Sequence, residues 1–394
     1  MVGEVGELSG SESCGSRAGE KVTRVQAERG RAWTGLAIVS LVVLLPLAGA
    51  VLAGRDRARL FEFPPRLEIA LSYATFSWAA AGAVSATVLI VVAAWWGGRR
   101  KRDRTREKER AGGARGRFPW WGVAAIVWTG AWWVLAWTRF DWFWEWQRYT
   151  FFPLWLGFIV TMNALTEWRT GSCLMRRATG DWLMLFGVSA VFWWGFEWLN
   201  RFVRNWHYLG VRDFGALAYA LHATVCFSVV LPAVGAVAEW LGSFGRWRAQ
   251  VSQGPAWRAL EWRGTAVALT IAAAVALVLT GAWPRWFYPA LWVAPLAFLL
   301  AEPVLMNRHC GGVAEMARGD WTRAATWMVA ALICGFFWEL WNVHSAAKWI
   351  YTVPGVDRWH VFEMPLLGYA GYLPFGLECL LVVERVRDGR AVVP

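Results

Sequence analysis

WRGTAVALTIAAAVALVLTGAW, residues 262–283, decides the fold class of this 394-residue chain. The residues between its two terminal tryptophans are almost all apolar, and a helix of that length crosses the hydrocarbon core of a bilayer. An indole ring is most stable at the headgroup level, so a tryptophan at each end of an apolar run marks the two membrane interfaces. The arrangement recurs along the chain, which contains 33 tryptophans. The sequence therefore predicts several membrane-spanning helices.

The composition excludes several other classes of protein. Hydrophobic residues make up 57% of the chain and charged residues 17%, so a soluble globule of this length would aggregate. Much of the net charge of +12 comes from a basic block between Arg99 and Arg117, directly after an apolar run. Such a block is typical of a cytoplasmic loop beside anionic lipid, and it lacks the interleaved aromatic residues of a nucleic-acid surface. We expect membrane lipid as a partner and no nucleic acid.

The cysteines and histidines do not indicate a metal or a cofactor. The six cysteines are scattered without a CxxC pair or zinc-ligand spacing, which argues against a zinc site and a disulfide framework. The histidines do not form the facing helical pairs that hold haem, and His222 is the one most readily placed inside a span. We therefore expect neither a bound metal nor a cofactor.

The apolar runs predict an all-α polytopic membrane protein with about ten transmembrane helices. The predicted spans are residues 32–52, 73–96, 119–137, 152–168, 181–200, 215–240, 264–283, 287–306, 321–341 and 362–383. The first run also fits a signal sequence, since Val51 and Ala53 match a small-residue cleavage pattern, although its mixed-charge leader is long for one. All the loops that then fall on one side are basic, so we expect both termini to be cytoplasmic and the protein to lie in the inner membrane.

An internal duplication organises most of the chain. The order Gly-Asp-Trp, aromatic cluster with Glu-x-x-Asn, then Trp-x-Tyr runs from Gly180 to Tyr208 and again from Gly319 to Tyr351. Each copy holds an even number of spans, so both insert in the same direction, and we predict two tandem parallel four-helix repeats preceded by two extra helices. The predicted segments are a disordered cytoplasmic tail (1–31), two N-terminal transmembrane helices (32–98), a basic cytoplasmic linker (99–118), repeat 1 (119–262), repeat 2 (263–384) and a cytoplasmic tail (385–394).

Each repeat has a glutamate followed three residues later by an asparagine: Glu197 with Asn200, and Glu339 with Asn342. This spacing puts both side chains on one helix face. A charged carboxyl group costs about 2 to 4 kcal/mol at the bilayer centre and much less near the headgroups, so its depth decides how much explanation it needs. Two interpretations are open: a functional pair that shares hydrogen bonds, or a polar helix end at the interface.

The motifs Trp206-x-Tyr208 and Trp349-x-Tyr351 follow in the adjoining loops. They either anchor the chain at the interface, as other tryptophans do, or form the wall of an aromatic pocket whose floor is the two Glu-Asn pairs. A pocket of that kind suits a planar apolar or a cationic ligand. We therefore take these four aromatic residues, together with the two asparagines, as candidate ligand-binding residues.

Glu378 is a further candidate catalytic carboxyl. It follows Pro374 and Gly376 inside the last predicted span, where proline removes a backbone donor and glycine permits close helix packing. In the first repeat Pro232 precedes Glu239 in a similar way. A set of carboxyl groups is predicted at the cytoplasmic helix ends, near Arg176, Arg177, Arg318 and Arg323; it comprises Glu167, Glu239, Glu302 and Glu378. Loop salt bridges are the simpler interpretation of this set.

The run Trp341-Asn342, then Trp349-Ile-Tyr351, then Pro374-x-Gly-x-Glu378 resembles the small lycopene cyclase domains of the heterodimeric or fused type. Those domains are tandem multi-span units with an acidic or amide residue, a W-x-Y motif and a Pro-x-Glu-Glu helix. The resemblance implies acid-driven cyclisation of an isoprenoid end group by a membrane carboxyl group. This chain differs in having Cys379 after Glu378, where the family has a second glutamate, and in having four predicted spans in each unit.

The sequence names no reaction, because hydrolase, nucleotide-binding and metalloprotease motifs do not occur in a usable context. Whether the protein is an enzyme stays open, and three classes of function remain. The first binds or modifies a hydrophobic isoprenoid- or lipid-like molecule in an aromatic pocket between the repeats, with Glu197, Glu339 and Glu378 as candidate catalytic residues. The second is a transporter or channel with an intramembrane carboxylate relay. The third is a non-catalytic membrane scaffold.

Overall fold

A computed structural model describes residues 12–65, 75–97, 116–211, 213–308 and 311–387 of the chain. This part is mostly helical. Its helices are α1 (Glu12–Leu52), α2 (Arg57–Phe61), α3 (Trp78–Gly97), α4 (Trp120–Trp137), α5 (Phe151–Thr170), α6 (Leu174–Arg177), α7 (Thr179–Val203), α8 (Ala216–Phe227), α9 (Val230–Gly242), α10 (Gly245–Val251), α11 (Arg263–Ala282), α12 (Pro284–Phe287), α13 (Ala290–Leu305), α14 (Gly311–Arg318), α15 (Thr322–Asn342) and α16 (Tyr372–Val386).

Short segments of other secondary structure connect these helices. The strands are β1 (Trp206–Leu209), β2 (Lys348–Tyr351), β3 (His360–Val361) and β4 (Met364–Pro365). Segments of 3₁₀ helix cover Asp141–Tyr149, Arg258–Glu261 and Leu366–Gly371. Strand β1 pairs with β2, and β3 pairs with β4. The sheet content of the described residues is therefore limited to two short ribbons.

Six helical segments among the described residues are long and apolar enough to cross a membrane: Ala32–Leu52, Thr179–Val203, Ala216–Gly242, Arg263–Ala282, Thr322–Asn342 and Leu366–Val386. The 3₁₀ segment before α5 and α5 itself, bent by 69°, would make a seventh. Of the other predicted spans, α3 and α13 have shorter apolar stretches. Helix α4 has 18 residues and is rich in tryptophan, which hydropathy scales count as weakly polar. A mostly helical chain with several helices able to span a membrane is thus confirmed, and the count of ten stays a prediction.

The N-terminal helix is longer than the sequence analysis predicts. We expected a disordered tail through residue 31, but α1 extends back to Glu12. The added part contains Glu, Lys, Arg, Gln and Ala, which are good helix formers. The described chain divides after Leu41 into two compact units. Most of the predicted basic linker, up to residue 115, lies outside the described residues, as do residues 388–394 of the predicted C-terminal tail.

The last helix begins later than predicted. The sequence suggested a span from Phe362, but Phe362 has a φ of 59° and lies in the turn between β3 and β4. A 3₁₀ segment follows, and α16 starts at Tyr372. The correction has a local cause, since Pro365, Gly368 and Gly371 disfavour a continuous α-helix. Glu378 therefore lies in the second turn of α16 rather than deep in a long straight helix.

Aromatic rings join the two halves of the helical unit that begins at Val42. Trp155 on α5 packs on Trp338 of α15 with ring centroids 5.1 Å apart. In a matching contact, Trp292 on α13 packs on Phe196 of α7 at 5.0 Å. Close helix approach also occurs at Gly376, where a Cβ atom would lie 2.5 Å from the backbone oxygen of Trp327. Small residues that let helix backbones approach closely, such as Gly376, are typical of helix contacts in lipid.

Candidate functional site

Strands β1 and β2 form an antiparallel ribbon at the end of the helices where α7 and α15 finish. In its register Trp206 lies opposite Tyr351, and Tyr208 lies opposite Trp349. Side chains two residues apart in a strand point to the same face, so the four aromatic side chains of the two Trp-x-Tyr motifs share one face of the ribbon. Strand pairing therefore brings the two motifs together, although they are far apart in the sequence.

Glu197, near the end of α7, is the acceptor for three aromatic donors. Its Oε1 atom accepts hydrogen bonds from the hydroxyl of Tyr208 at 2.6 Å, from Nε1 of Trp206 at 3.0 Å and from Nε1 of Trp193 at 3.1 Å. Trp193 is one turn earlier on the same helix. The glutamate is buried, with 6% of its surface exposed. We call this group the Glu197 cluster.

Glu339, near the end of α15, has a matching set of partners. Its Oε1 atom accepts from the hydroxyl of Tyr351 at 2.6 Å, from the hydroxyl of Tyr372 at 3.1 Å and from Nε1 of Trp349 at 3.4 Å. Nε1 of Trp349 also donates to the Tyr351 hydroxyl at 2.8 Å. Glu339 is completely buried, and its Oε2 atom has no hydrogen-bond partner. We call this group the Glu339 cluster.

The two asparagines hold the start of the ribbon strands. Nδ2 of Asn200 donates to the backbone oxygen of Trp206 at 2.8 Å, and its Oδ1 accepts from the Asn205 amide at 2.8 Å. Asn342 bonds the backbone of Trp349 in the same way, donating to its oxygen at 2.7 Å and accepting from its amide at 2.8 Å. Both amides thus hold the backbone that carries the aromatic side chains, and among the described residues neither bonds to Glu197 or Glu339 or lines the cavity described below. Their part in ligand binding stays a prediction.

A cavity of about 130 Å³ lies beneath the ribbon. The four Trp-x-Tyr side chains all line it. Further rings in its wall belong to Trp193, Tyr219, Trp292, Trp338 and Tyr372. Arg148 and His222 are the basic residues of the described lining. The two glutamates are not part of the lining, because the rings they bind stand between them and the cavity.

Burial sets the protonation of the ribbon side chains outside the spans. It raises the pKa of the Tyr208 and Tyr351 hydroxyls well above the usual value, and the nearby carboxyl groups act in the same direction, so both remain hydrogen-bond donors. His207, on the opposite face of β1, has its pKa lowered to about 4 by burial and by Arg204. Its Nε2 atom lies 2.8 Å from the hydroxyl oxygen of Thr352. His207 is therefore neutral at pH 7.

Glu378 does not join either cluster. It is completely buried and interacts with the backbone amide of Leu296, although among the described residues no contact of its carboxyl oxygens has full hydrogen-bond geometry. It does not line the cavity. Glu378 follows Pro374 by four residues, whereas the residue that follows Pro232 by four in the first repeat is Ala236. The candidate catalytic carboxyls are thus divided into two that bind cavity rings and one that is apart from them.

The carboxyl groups at the other end of the helices form ion pairs. Glu239 accepts from the Leu174 amide at 2.9 Å and from Nη2 of Arg177 at 2.8 Å. Glu384 accepts from the Gly312 amide at 3.0 Å and pairs with Nη1 of Arg323 at 2.5 Å. By these contacts the counterpart of Glu239 is Glu384. The suggested correspondence with Glu378 is therefore wrong.

The remaining members of this set are paired as well. Glu167 pairs with Arg176, and it accepts from the Cys173 thiol at 3.3 Å. Glu302 pairs with Arg308 and, at 2.8 Å, with Nη1 of Arg385. These contacts agree with the interpretation of the set as loop salt bridges, with Glu378 excluded from it.

Several residues of the site were missed by the sequence analysis. Trp193 and Tyr372 donate to the glutamates, and Trp292, Trp338 and Tyr219 line the cavity. For Trp193 the signal was its place one turn before Glu197 on the same predicted helix face. For Tyr372 there was no comparable signal, because the first repeat has no tyrosine at the matching place.

Comparison with known proteins adds no relative: no protein-family model, curated protein or solved structure matches the chain. The resemblance to the small lycopene cyclase domains therefore stays a prediction from short motifs. The interpretation of the site depends on its own geometry.

Proposed function

We propose that this protein binds a hydrophobic isoprenoid- or lipid-like molecule in the cavity beneath the β1–β2 ribbon. The observation that carries the proposal is the pair of buried clusters, in which the polar edges of the wall rings are bound to Glu197 and Glu339. Their carbon surfaces are then what the cavity offers to a ligand. Concave, mostly apolar sites of this kind are typical of small-molecule binding.

The proposal includes a membrane setting and a duplicated architecture. About ten spans would form two tandem parallel four-helix repeats after two N-terminal helices, with both termini in the cytoplasm of a cell that has an inner membrane. The matching contacts of Trp155 with Trp338 and of Trp292 with Phe196 support the duplication. So does the pairing of Glu239 and Glu384 with the amides of Leu174 and Gly312.

A chemical step is a further part of this proposal. In a modifying enzyme Glu339 is the better placed of the two glutamates, because its Oε2 atom is free of hydrogen bonds. The resemblance to the cyclase domains implies proton donation to a double bond of the ligand, and since Tyr351 lies between Glu339 and the cavity, the proton would reach the ligand through the Tyr351 hydroxyl while Glu339 resupplies that hydroxyl. Glu378 would act only indirectly, since it does not line the cavity.

The transport alternative has less support. A carboxylate relay needs exchangeable carboxyl groups along one path, whereas Glu167, Glu239, Glu302 and Glu384 are held by arginines. Phe375 packs on rings of both halves between the clusters and those ion pairs, at 5.7 Å from Phe196 and 6.2 Å from Trp338. A continuous polar path is therefore not seen among the described residues.

Co-purification tests the binding proposal. Ala223 of α8 lines the cavity and is buried, so Ala223→Leu should fill part of it. Ala218→Leu, at an exposed place on the same helix, is the matched control. Both proteins are purified in mild detergent, checked for monodispersity, and extracted for mass spectrometry. We expect one apolar species to accompany the wild type and the control at similar amounts and to fall at least about fivefold in Ala223→Leu.

Two results would contradict the proposal. One is a purified wild-type protein that carries no species above the detergent and bulk-lipid background. The other is a species retained equally in Ala223→Leu. Comparative lipidomics of a deletion strain would then show whether the bound species accumulates or disappears, which separates binding from modification.

A further inference from the structure

The cavity wall has an electrostatic property that an apolar pocket does not need. Trp206, Tyr208, Trp349 and Tyr351 each donate a hydrogen bond to a glutamate oxygen while lining the cavity. A donor bound to a carboxylate is polarised toward it, which adds electron density to the ring. The faces of electron-rich indole and phenol rings attract cations.

The Oε1 atoms of the two glutamates take their hydrogen bonds from aromatic donors, so the rings of the wall are the groups that these carboxyl oxygens polarise. Arg201, one turn after Glu197, acts electrostatically on Glu197 but donates its hydrogen bonds to the backbone oxygens of Leu60 and Glu62. In the part of the chain that the structure describes, no salt bridge joins Lys, Arg or His to either of them. Two buried acceptors thus face one cavity from matching positions in the two halves.

Arg148, one of the two basic residues of the described lining, already has other partners. Nη2 of Arg148 lies 3.8 Å from a carboxylate oxygen of Asp213, and its guanidinium lies over the ring of Phe214 at 5.2 Å. His222 packs edge-on against Tyr149 and Phe214. The ring faces in front of the two glutamates are therefore the part of the wall that is left to bind a cation.

We propose that the ligand of this cavity carries a positively charged alkylammonium group, which lies against the Trp-x-Tyr rings in front of Glu197 and Glu339. This inference rests on the proposed binding function and specifies its ligand class. The ligand is then a lipophilic cation rather than a neutral hydrocarbon. Behind that layer of aromatic rings lie the carboxyl groups of Glu197 and Glu339.

Paired probes of equal shape test the charge requirement. Choline and 3,3-dimethyl-1-butanol differ in a quaternary nitrogen against a quaternary carbon. Binding of each to the purified protein is followed by tryptophan fluorescence in a non-ionic detergent. We expect choline to bind at least ~10-fold more tightly than the alcohol, the ratio that a desolvated cation–π contact supplies.

Isosteric variants test whether the preference for choline over the alcohol comes from the Glu197 and Glu339 clusters. Glu339→Gln and Glu197→Gln keep an oxygen acceptor for the aromatic donors but remove the charge. Each should lower the choline-to-alcohol affinity ratio by at least ~3-fold, and two variants in different halves ensure that a folding defect in one does not end the test. Glu384→Gln is the matched control, because this buried carboxyl group pairs with Arg323 at the other end of the helices and belongs to neither cluster. The ratio should be unchanged there.

Each other outcome decides the question against this inference. If the alcohol binds as tightly as choline, the site takes neutral ligands and the binding function stands without the charge. If neither probe binds, the charge preference is wrong, and the co-purification experiment with Ala223→Leu still decides the binding function separately. A preference that persists in both glutamine variants would show that the two clusters are not its source.

Discussion

The Glu197 and Glu339 clusters differ in where the third hydrogen-bond donor comes from. In both, a Trp and a Tyr of the ribbon bind Oε1 of the glutamate. The Glu197 cluster adds Trp193 from its own helix, whereas the Glu339 cluster adds Tyr372 from the first residue of α16. The first cluster therefore joins α7 to β1, and the second joins three elements of the chain. The two clusters thus have similar hydrogen bonds, but the second connects more elements of secondary structure than the first.

Replacing each glutamate by alanine should give the largest losses of stability and should show how the two clusters differ. Glu339→Ala removes the acceptor of Trp349 and Tyr351 on β2 and of buried Tyr372 on α16, so we expect a loss of at least about 4 kcal/mol in the free energy of unfolding. Glu197→Ala should cost less, about 2 to 3 kcal/mol, because its third donor, Trp193, lies on the same helix as Glu197, so no third element of the chain loses a contact. Unfolding in mixed micelles titrated with SDS measures both. Equal losses would mean that Tyr372 adds nothing to the second cluster.

A pH titration should expose an asymmetry between the ribbon strands. His207 of β1 lies opposite Ile350 of β2, so its titration has no counterpart across the ribbon. Its folded pKa is about 4 against 6.5 in the unfolded chain, so the unfolded state takes up the proton first as the pH falls. Stability should be unaffected above pH 6.5 and fall by up to about 3 kcal/mol between pH 6.5 and 4. Loss of this slope in His207→Gln is expected; an identical slope in that variant would contradict the assignment.

Replacing single hydrogen-bond donors should give smaller losses in the free energy of unfolding, and these losses still rank the two clusters. Tyr372→Phe removes one buried hydroxyl bond to a carboxyl group and should cost about 1.5 to 3 kcal/mol. Trp193→Phe removes an indole donor that is partly exposed, and about 1 kcal/mol is expected. Both substitutions keep an aromatic ring, so packing changes little. The same SDS titration applies, and a larger loss for Trp193→Phe would reverse our ranking of the clusters.

The smallest expected effect concerns a thiol of the first half. Burial raises the pKa of Cys173 to about 12, with Glu167 acting in the same direction. The reactive thiolate is therefore scarce at pH 8, and we expect less than about 10% labelling by iodoacetamide in an hour in the folded protein. Peptide mass spectrometry with an SDS-unfolded control measures this fraction. Rapid labelling would show that the loop before α6 opens readily.

The parts of the site that could be predicted are those repeated in the sequence. Glu197, Trp206 and Tyr208 recur in order as Glu339, Trp349 and Tyr351, and helix spacing and loop position were enough to group them. The ribbon that joins the two groups was not predictable, because a four-residue strand in a loop has too few residues to show an alternating pattern. The contact of Tyr372 with Glu339 was not predictable either, because it depends on packing between residues that are far apart in the sequence.

The errors arose where the repeats differ in length. Counting from Pro232 and Pro374 suggested Glu239 and Glu378 as partners, but the ion pairs relate Glu239 to Glu384. The helix there carries its carboxyl group at a different distance from the proline in the two halves. The start of the last span was misplaced for a related reason, since apolar residues of the 3₁₀ segment Leu366–Gly371 continue the hydropathy signal without continuing the α-helix.

The β1–β2 ribbon has a mechanical consequence for the whole helical unit. Its four residue pairs are joined through main-chain groups, and ladder bonds perpendicular to the strands must break together when the strands are pulled apart sideways. A motion that separates β1 from β2 would therefore have to break these bonds, just as a motion at the other end would have to break the ion pair of Asp181 with Arg387. If the cavity takes a ligand, as proposed, that ligand would enter between side chains or loops beside the ribbon rather than through it.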